Sequence, residues 1–186
     1  MLKSHVVFAA ATAVAVTLSG AAFAQDKPVT VGGAPMYSNK NIVENAVNSK
    51  DHTTLVAAVK AAGLVETLQG PGPFTVFAPT NKAFGKLRKG TVATLVKAEN
   101  KQTLTGILTY HVVPGKLTAS DLMSKVKAGG GEAMLKTVEG DDLTVSMSGK
   151  KVKITDTKGG SATVTVANVM QSNGVIHVVD KVLMPM

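Results

Sequence analysis

The chain contains 186 residues, no cysteine and a formal net charge of +8 at neutral pH. Without cysteine it holds no disulfide, so its stability must come from packing. The positive charge is almost entirely lysine, because Arg88 is the only arginine. A single guanidinium gives little bidentate recognition of phosphate, and the lysine clusters are not interleaved with aromatic residues that stack on bases. The composition therefore argues against a nucleic-acid-binding protein.

The first 24 residues are typical of a cleaved export signal. Lys3 provides a positive start, residues 6–18 are apolar, and residues 22–24 fit the small-x-small pattern of a signal-peptidase site. The apolar run is shorter than the roughly 20 residues that a membrane-spanning helix needs. We expect cleavage after Ala24, export to the periplasm or out of the cell, and no membrane span in the mature chain.

Residues 25–38 are polar and contain prolines and a glycine pair, which predicts a mobile leader or a loose first strand. Two helices are predicted to follow. Asn41, with Glu44 three residues later, has the pattern of a capping box and predicts a helix start. Asp51 is predicted to cap the second helix, and Gly63 to end it.

Residues 74–84 are interpreted as an organising element of the core, with no chemistry of their own. The first residues of this stretch alternate at the period of a strand. Pro79 ends that strand because it has no N–H to donate to a ladder. Thr80 or Asn81 then caps a new helix. The stretch thus predicts a strand that turns directly into a helix.

More helical segments are predicted in the middle of the chain. Thr91 is predicted to cap one helix, and a later apolar stretch runs into Tyr110 and His111, where a helix passes into a short strand. Residues 120–124 predict one further helical turn.

From Met134 onward the hydrophobic period changes from helical to alternating. Short polar turns containing glycine separate the strand candidates, which is typical of an antiparallel meander. These candidates are residues 134–138, 143–147, 152–155 and 162–169. Residues 175–184 are almost continuously apolar, which predicts a central strand buried on both faces. Helices first and hairpins last predict the α+β class.

Three stretches of this chain resemble the fasciclin family in order and spacing. They are Phe74–Phe84, the pair Tyr110-His111, and Asn173–Pro185. The resemblance covers residues 39–186 and implies one domain, built as a wedge of two antiparallel-rich β-sheets flanked by several short helices. It also implies an exported or surface-attached protein of the kind associated with adhesion and extracellular interactions.

The resemblance also indicates candidate interaction residues. In animal members of the family, the Tyr-His region and an Asp-Ile pair before the last motif are implicated in integrin binding. The position of that pair corresponds here to Asn168 and Val169. The carboxylate is absent, which argues against a direct integrin role. The candidate interaction residues are therefore Tyr110, His111, Asn168, Val169 and His177.

A search for reactive groups predicts no catalytic, cofactor or metal site. His52, His111 and His177 are far apart in sequence and lack the spacing of metal ligands. No Gly-x-Ser-x-Gly stretch marks a nucleophile, and the glycine run 129–131 is not followed by the residues of a phosphate loop. We interpret the histidines as buried groups hydrogen-bonded inside the fold. A tertiary contact between His111 and His177 remains an alternative.

The leading hypothesis is a non-catalytic, exported protein that binds a surface or matrix protein, or a glycan, through its outer face. One alternative is a small-ligand carrier or hydrolase with a cleft near Tyr110, His111 and His177. A second alternative is a polyanion binder, if the lysine clusters share one face. Those clusters are Lys82, Lys86, Arg88 and Lys89, and Lys150, Lys151 and Lys153.

Overall fold

The computed structural model describes residues 27–186, so the predicted signal peptide lies outside the described residues. The helices are α1 Ile42–Ala46, α2 Thr53–Ala62, α3 Val65–Gln69, α4 Asn81–Gly85, α5 Thr91–Leu95, α6 Lys101–Tyr110 and α7 Ala119–Ala128. The strands are β1 Val29–Val31, β2 Ala34–Met36, β3 Phe74–Pro79, β4 Val112–Pro114, β5 Glu132–Lys136, β6 Asp142–Ser148, β7 Lys151–Thr155, β8 Ser161–Gln171 and β9 Gly174–Val179. None of the helices in this part of the chain has the length and hydrophobicity to cross a membrane.

Seven strands form a continuous sheet in the order β4-β3-β9-β8-β7-β6-β5, and β1 and β2 form a separate hairpin. The long strand β8 changes partner along its length. Residues 161–163 pair with β7, whereas residues 164–171 pair with β9 across two irregularities in register. Bulges of this kind bend a strand. The bend in β8 divides the seven strands into two sheets, β4-β3-β9-β8 and β8-β7-β6-β5, that are set at an angle and share β8. The predicted α+β wedge flanked by short helices is confirmed.

The centre of the wedge is the parallel pair β3 and β9, in which Phe74 is opposite Gly174 and Phe77 is opposite His177. All six residues of β9 are buried. Alternate residues of the pair supply two separate cores, one beneath α1, α2, α4 and α6, the other beneath α7. The predicted central strand is therefore confirmed, but it ends at Val179 because the chain then leaves the ladder as an irregular tail.

Local capping signals explain several helix boundaries. Asn41 and Glu44 form the predicted capping box of α1, and Gly63 ends α2 in the left-handed conformation. The prediction that Asp51 caps α2 is wrong. The Thr54 amide is instead capped at 3.0 Å by the Asn81 side chain, which α4 brings from far along the chain.

Two other predicted boundaries also differ from the structure. Thr91 is the first residue of α5 and not its cap, since Gly90 occupies that position with φ of 84°. The single turn predicted at 120–124 is the ten-residue helix α7, which begins after a capping box formed by Thr118 and Asp121. Of the two alternatives for residues 25–38, a strand is the one found: residues 29–36 form a hairpin, whose Val31 and Met36 side chains are buried in the core.

Candidate functional site

Tyr110 is the last residue of α6, and its side chain is buried. The hydroxyl donates to the Asp142 carbonyl at 3.0 Å and accepts from the Thr157 amide at 3.2 Å. Burial raises the pKa of the Tyr110 hydroxyl, and the hydrogen bond from Thr157 opposes that rise. This hydroxyl therefore joins α6 to β6 and to the turn after β7, and it stays protonated near neutral pH.

His111 lies at the C-terminal end of α6 and not in a strand, and it is almost fully buried. Its Nε2 atom accepts from the Leu183 amide at 3.0 Å. Its Nδ1 atom lies 2.8 Å from the Ile107 carbonyl, so Nδ1 carries the proton. Burial lowers the pKa of His111 to about 4, against the opposing effects of the Ile107 carbonyl and the Asp156 carboxylate. The ring is neutral and held in one tautomer.

His177 is a fully buried residue of β9. Its Nδ1 atom accepts from the Asn168 amide at 3.4 Å, and its Nε2 atom donates to the Leu117 carbonyl at 2.8 Å. The ring also stacks on Phe77, with centroids 5.8 Å apart. Burial lowers the pKa of His177, although the Leu117 carbonyl partly offsets this. His177 thus ties β9 to the bend in β8 and to the segment before α7.

His111 and His177 have a common neighbour in Phe77. The Phe77 amide donates to the His111 carbonyl at 2.9 Å, while the Phe77 ring stacks on His177. The nitrogen atoms of the two imidazoles nevertheless bond to different segments of backbone. Residues 27–186 contain no group of three or more acidic or histidine side chains placed to hold a metal ion.

Asn168 and Val169 have different environments although they are adjacent. Val169 is buried in the core beneath α1, α2, α4 and α6. Asn168 is exposed and adopts a φ of 58° at the bend of β8. Its Oδ1 atom accepts from the Ala119 amide at 2.7 Å, in the first turn of α7. Of the five candidate interaction residues, Asn168 is exposed and the other four are buried.

A largely apolar cavity lies between the helices and the β3–β9 pair. Its volume is about 50 Å³, and its lining includes His52 and His111 but not Tyr110 or His177. The Nε2 atom of His52 has no well-aligned hydrogen-bond partner within the described residues. Burial lowers the pKa of His52, with smaller opposing effects of the Ala78 carbonyl and Asp51. Since about 10–15 Å³ of such volume is enough for one water molecule, the cavity has room for a few water molecules or a small group.

The C-terminal tail, residues 180–186, is a feature that the sequence did not indicate. Three of its amides donate to side chains from earlier segments. Leu183 donates to His111, Met184 donates to Asp156 at 3.1 Å, and Met186 donates to Asp141 at 3.2 Å. These partners lie 28 to 72 residues away in sequence, so no local pattern marks them. The tail thereby closes over the end of α6.

Comparison with known proteins agrees with this architecture. The family model for the fasciclin domain matches residues 50–185. The chain is 46% identical over 184 residues to protein sll1483 of Synechocystis, an alignment that covers 97% of this chain and 95% of that protein. It is 33% identical over 170 residues to the immunogenic protein MPB70 of Mycobacterium bovis, covering 89% and 79% of the two chains. The chain belongs to the fasciclin family.

A solved structure shows the same fold. The FAS1 domain pair of the insect cell adhesion molecule fasciclin I superposes with a TM-score of 0.70 at 20% sequence identity. The match covers 78% of this chain and 51% of that two-domain chain. A likeness at this level of identity concerns the fold, and the chain corresponds to about half of the solved pair.

Proposed function

We propose that this chain is an exported, non-catalytic interaction module that binds another surface component, a protein or a glycan, through its outer face. Two observations support the proposal. The chain belongs to a family that includes a cell adhesion molecule, and its first residues have the pattern of an export signal. In this proposal the signal is residues 1–24, and the fasciclin domain of residues 39–186 is preceded by a hairpin that packs against its core.

The observation that carries the proposal is the environment of the Tyr-His motif and of His177. Each of these three side chains is buried and hydrogen-bonded to the backbone of other segments. A general base or nucleophile must reach a substrate atom at hydrogen-bond distance. Tyr110, His111 and His177 are instead used to join elements of the fold, so we assign them structural roles.

The small-ligand alternative receives less support. A ligand site normally has a volume of roughly 300–1,000 Å³, whereas the cavity beside His111 has about 50 Å³. Tyr110 and His177 do not line it. The three side chains therefore do not converge on an open cleft of the kind that a carrier or hydrolase requires.

Binding of cell envelope material tests the proposal. The mature protein is immobilised, and retention of envelope fragments from the producing organism is measured for the wild type and for His111→Gln. We expect both proteins to retain the same component to the same extent, because Gln keeps an acceptor for the Leu183 amide. Absence of any retained component from the wild-type surface would contradict the proposal.

A parallel assay tests the catalytic alternative. The wild type and His177→Gln are incubated with a panel of chromogenic esters and glycosides, and their melting temperatures are recorded. We expect no turnover above buffer for either protein. Turnover that disappears in His177→Gln at an unchanged melting temperature would establish the enzyme instead.

A further inference from the structure

Strand β7 presents lysine on one side of the sheet and apolar residues on the other. Val152 and Ile154 are buried in the core beneath α7. Lys151, Lys153 and Thr155 alternate with them and are exposed or half-buried. Because successive side chains of a strand point to opposite faces, Lys151 and Lys153 lie on the outer face, about 7 Å apart along the strand.

The outer face continues across neighbouring strands as a row of polar side chains. Lys153 is opposite Ser146 of β6 on one side and Thr163 of β8 on the other. The Thr163 amide donates to the Asp180 carboxylate at 2.8 Å, and the Asp180 amide donates back to the Thr163 carbonyl at 3.2 Å. Asp180 therefore extends the β8–β9 pairing by one residue. It is in line with Thr163 and Lys153, and the backbones of Asp180 and Lys153 are two strand spacings apart, or about 10 Å.

Asp180 connects this row to the second lysine cluster. The Lys86 ammonium donates to the Asp180 carbonyl at 2.8 Å and lies 3.7 Å from its carboxylate. The Lys86 and Asp180 side chains are 56% and 42% exposed. Lys86 and the lysines of β7, which are distant in sequence, thus meet at one surface. We call it the lysine face: Lys86, Ser146, Lys151, Lys153, Thr155, Thr163 and Asp180.

The charge of the lysine face is positive, although three carboxylates lie in it or beside it. Asp180 is bonded to Lys86, and Glu132 ends the row beyond Ser146. Asp142, on the same side of β6 as Ser146, pairs with Lys136 at 4.0 Å. Lys150 in the hairpin before β7 and Lys181 after Asp180 are exposed beside the face. The cations outnumber the carboxylates, and a solvent-exposed surface of this kind attracts an anionic partner.

We propose that the lysine face binds an acidic polysaccharide, a sugar chain that carries carboxylate or sulfate groups. This rests on the proposed function and names the class of its partner. The ammonium groups contact the anionic groups of the chain. The hydroxyls of Ser146, Thr155 and Thr163 donate and accept hydrogen bonds with sugar hydroxyls. A solvent-exposed sheet face with both kinds of group matches an extended, hydroxyl-rich polyanion.

The chemistry of the face favours this partner over the two other common polyanions. Single-stranded nucleic acid is bound through aromatic side chains that stack on bases, and the lysine face consists of lysine, serine, threonine and one aspartate. Attachment to an anionic membrane by a surface of this kind also needs apolar or aromatic side chains that enter the lipid. Met134, on the edge strand β5 and in register with Thr144, is an exposed apolar side chain beside the face. One such side chain at the edge gives little insertion into lipid.

Matched pairs of lysine substitutions test the proposal. Lys151→Gln/Lys153→Gln removes two charges from the lysine face. Lys125→Gln/Lys127→Gln removes two exposed charges from α7, the helix that covers the opposite, buried face of the same strands. The mature proteins are titrated with polygalacturonate, neutral dextran, a thymidine oligonucleotide and phosphatidylglycerol vesicles, and melting temperatures verify the fold.

We expect the wild type to bind polygalacturonate and not dextran, with affinity that falls as salt is raised from about 50 to 200 mM. The Lys151/Lys153 variant should lose about tenfold or more in affinity, and the Lys125/Lys127 variant about twofold or less. Equal losses in both variants, absence of polygalacturonate binding, or tighter binding to the oligonucleotide or the vesicles would each overturn the proposal.

The envelope assay separates this proposal from the broader one. If the Lys151/Lys153 variant retains envelope material as the wild type does, the interaction module stands and the lysine face is not its binding surface. If the wild type retains nothing, the module itself is refuted.

Discussion

The Leu183 amide donates a hydrogen bond to Nε2 of His111 at 3.0 Å, across 72 residues of sequence. A backbone amide can only donate, so Nε2 is the acceptor and the ring proton lies on Nδ1, facing the Ile107 carbonyl. One buried imidazole therefore holds the end of α6 and the C-terminal tail together. Protonation of Nε2 would remove the acceptor.

The stability of the protein should fall in mild acid. The pKa of His111 is about 4 in the folded state, against 6.5 for an ordinary histidine. Between these two pH values the His111 ring is protonated in the unfolded chain but neutral in the folded protein, so the unfolded chain binds more protons. The free energy of unfolding therefore decreases as pH falls from about 6.5 to 4, and it levels off below that. His111 contributes a loss of about 3 kcal/mol, and the lowered pKa values of His52 and His177 act in the same direction.

Urea unfolding of the wild type and of His111→Gln across this pH range measures the effect. Gln retains an acceptor near the position of Nε2 but does not titrate. The variant should therefore show a shallower pH dependence, by up to about 1.4 kcal/mol per pH unit. Parallel curves for the two proteins would assign the acid sensitivity to other groups.

Replacing His111 with Ala should destabilise the protein at neutral pH. The change leaves the buried Leu183 amide without an acceptor and the Ile107 carbonyl without a donor, a cost of about 1–3 kcal/mol. Met134→Ala is the control, because that side chain is 70% exposed, and it should change the free energy of unfolding by less than about 0.5 kcal/mol. Hydrogen exchange at Leu183 should accelerate in His111→Ala. Unchanged unfolding and exchange would refute a structural role for this ring.

Asn168 should be sensitive to the loss of its side-chain oxygen but tolerant of a carboxylate. Asn168→Ala removes the acceptor for the Ala119 amide and places a Cβ-bearing residue that lacks a polar side chain at φ of 58°. We expect a loss of about 1–3 kcal/mol in denaturant unfolding.

Asn168→Asp is the matched control at the same position. It keeps the oxygen and places negative charge at the N-terminal end of the ten-residue helix α7, an arrangement that is favourable by about 0.3–1 kcal/mol at an exposed site. The Asp variant should therefore be close to the wild type in stability. Equal stabilities for the Ala and Asp variants would show that the bond to Ala119 contributes nothing.

Replacing Gly174 with Ala should lower the free energy of unfolding, whereas replacing Gly106 with Ala should raise it. A Cβ at Gly174 would overlap the Phe74 carbonyl in the β3–β9 pair, whereas a Cβ at Gly106 has no atom within 4 Å apart from its chain neighbours and the backbone of its own helix. Gly174→Ala should cost about 3 kcal/mol or more, because the clash is with backbone. Gly106→Ala, inside α6, should stabilise by about 0.5–1 kcal/mol. Thermal and denaturant unfolding of both variants measures this, and a mild effect at Gly174 would contradict the close packing of these strands.

The parts of the fold that depend on neighbouring residues could be predicted from the sequence. The capping box of Asn41 and Glu44 and the left-handed Gly63 are local signals, and the buried strand β9 follows from a run of apolar residues. The cap of α2 could not be predicted, because it comes from Asn81 through tertiary contact. The parallel pairing of β3 with β9 is likewise a contact between distant segments, and side-chain patterns carry no information about it.

The site was predictable to a similar extent. Burial of His111 and His177 follows from their apolar surroundings in sequence, but their partners Leu183 and Leu117 depend on the fold. The alternation of Lys151 and Lys153 with apolar residues predicts outward-facing lysines. Their connection to Lys86 depends on Asp180, the residue that follows β9. Sequence spacing gives no indication of that connection.

The position of β9 constrains how this polypeptide acquires its shape during synthesis. Gly174 pairs with Phe74, 100 residues earlier in the chain, so a growing chain that ends before Gly174 cannot assemble the centre of its sheet. The chain must emerge as far as β9 before these long-range pairs close, and such pairing is intrinsically slow. Until then β3 lacks its parallel partner, and the middle of the sheet stays open.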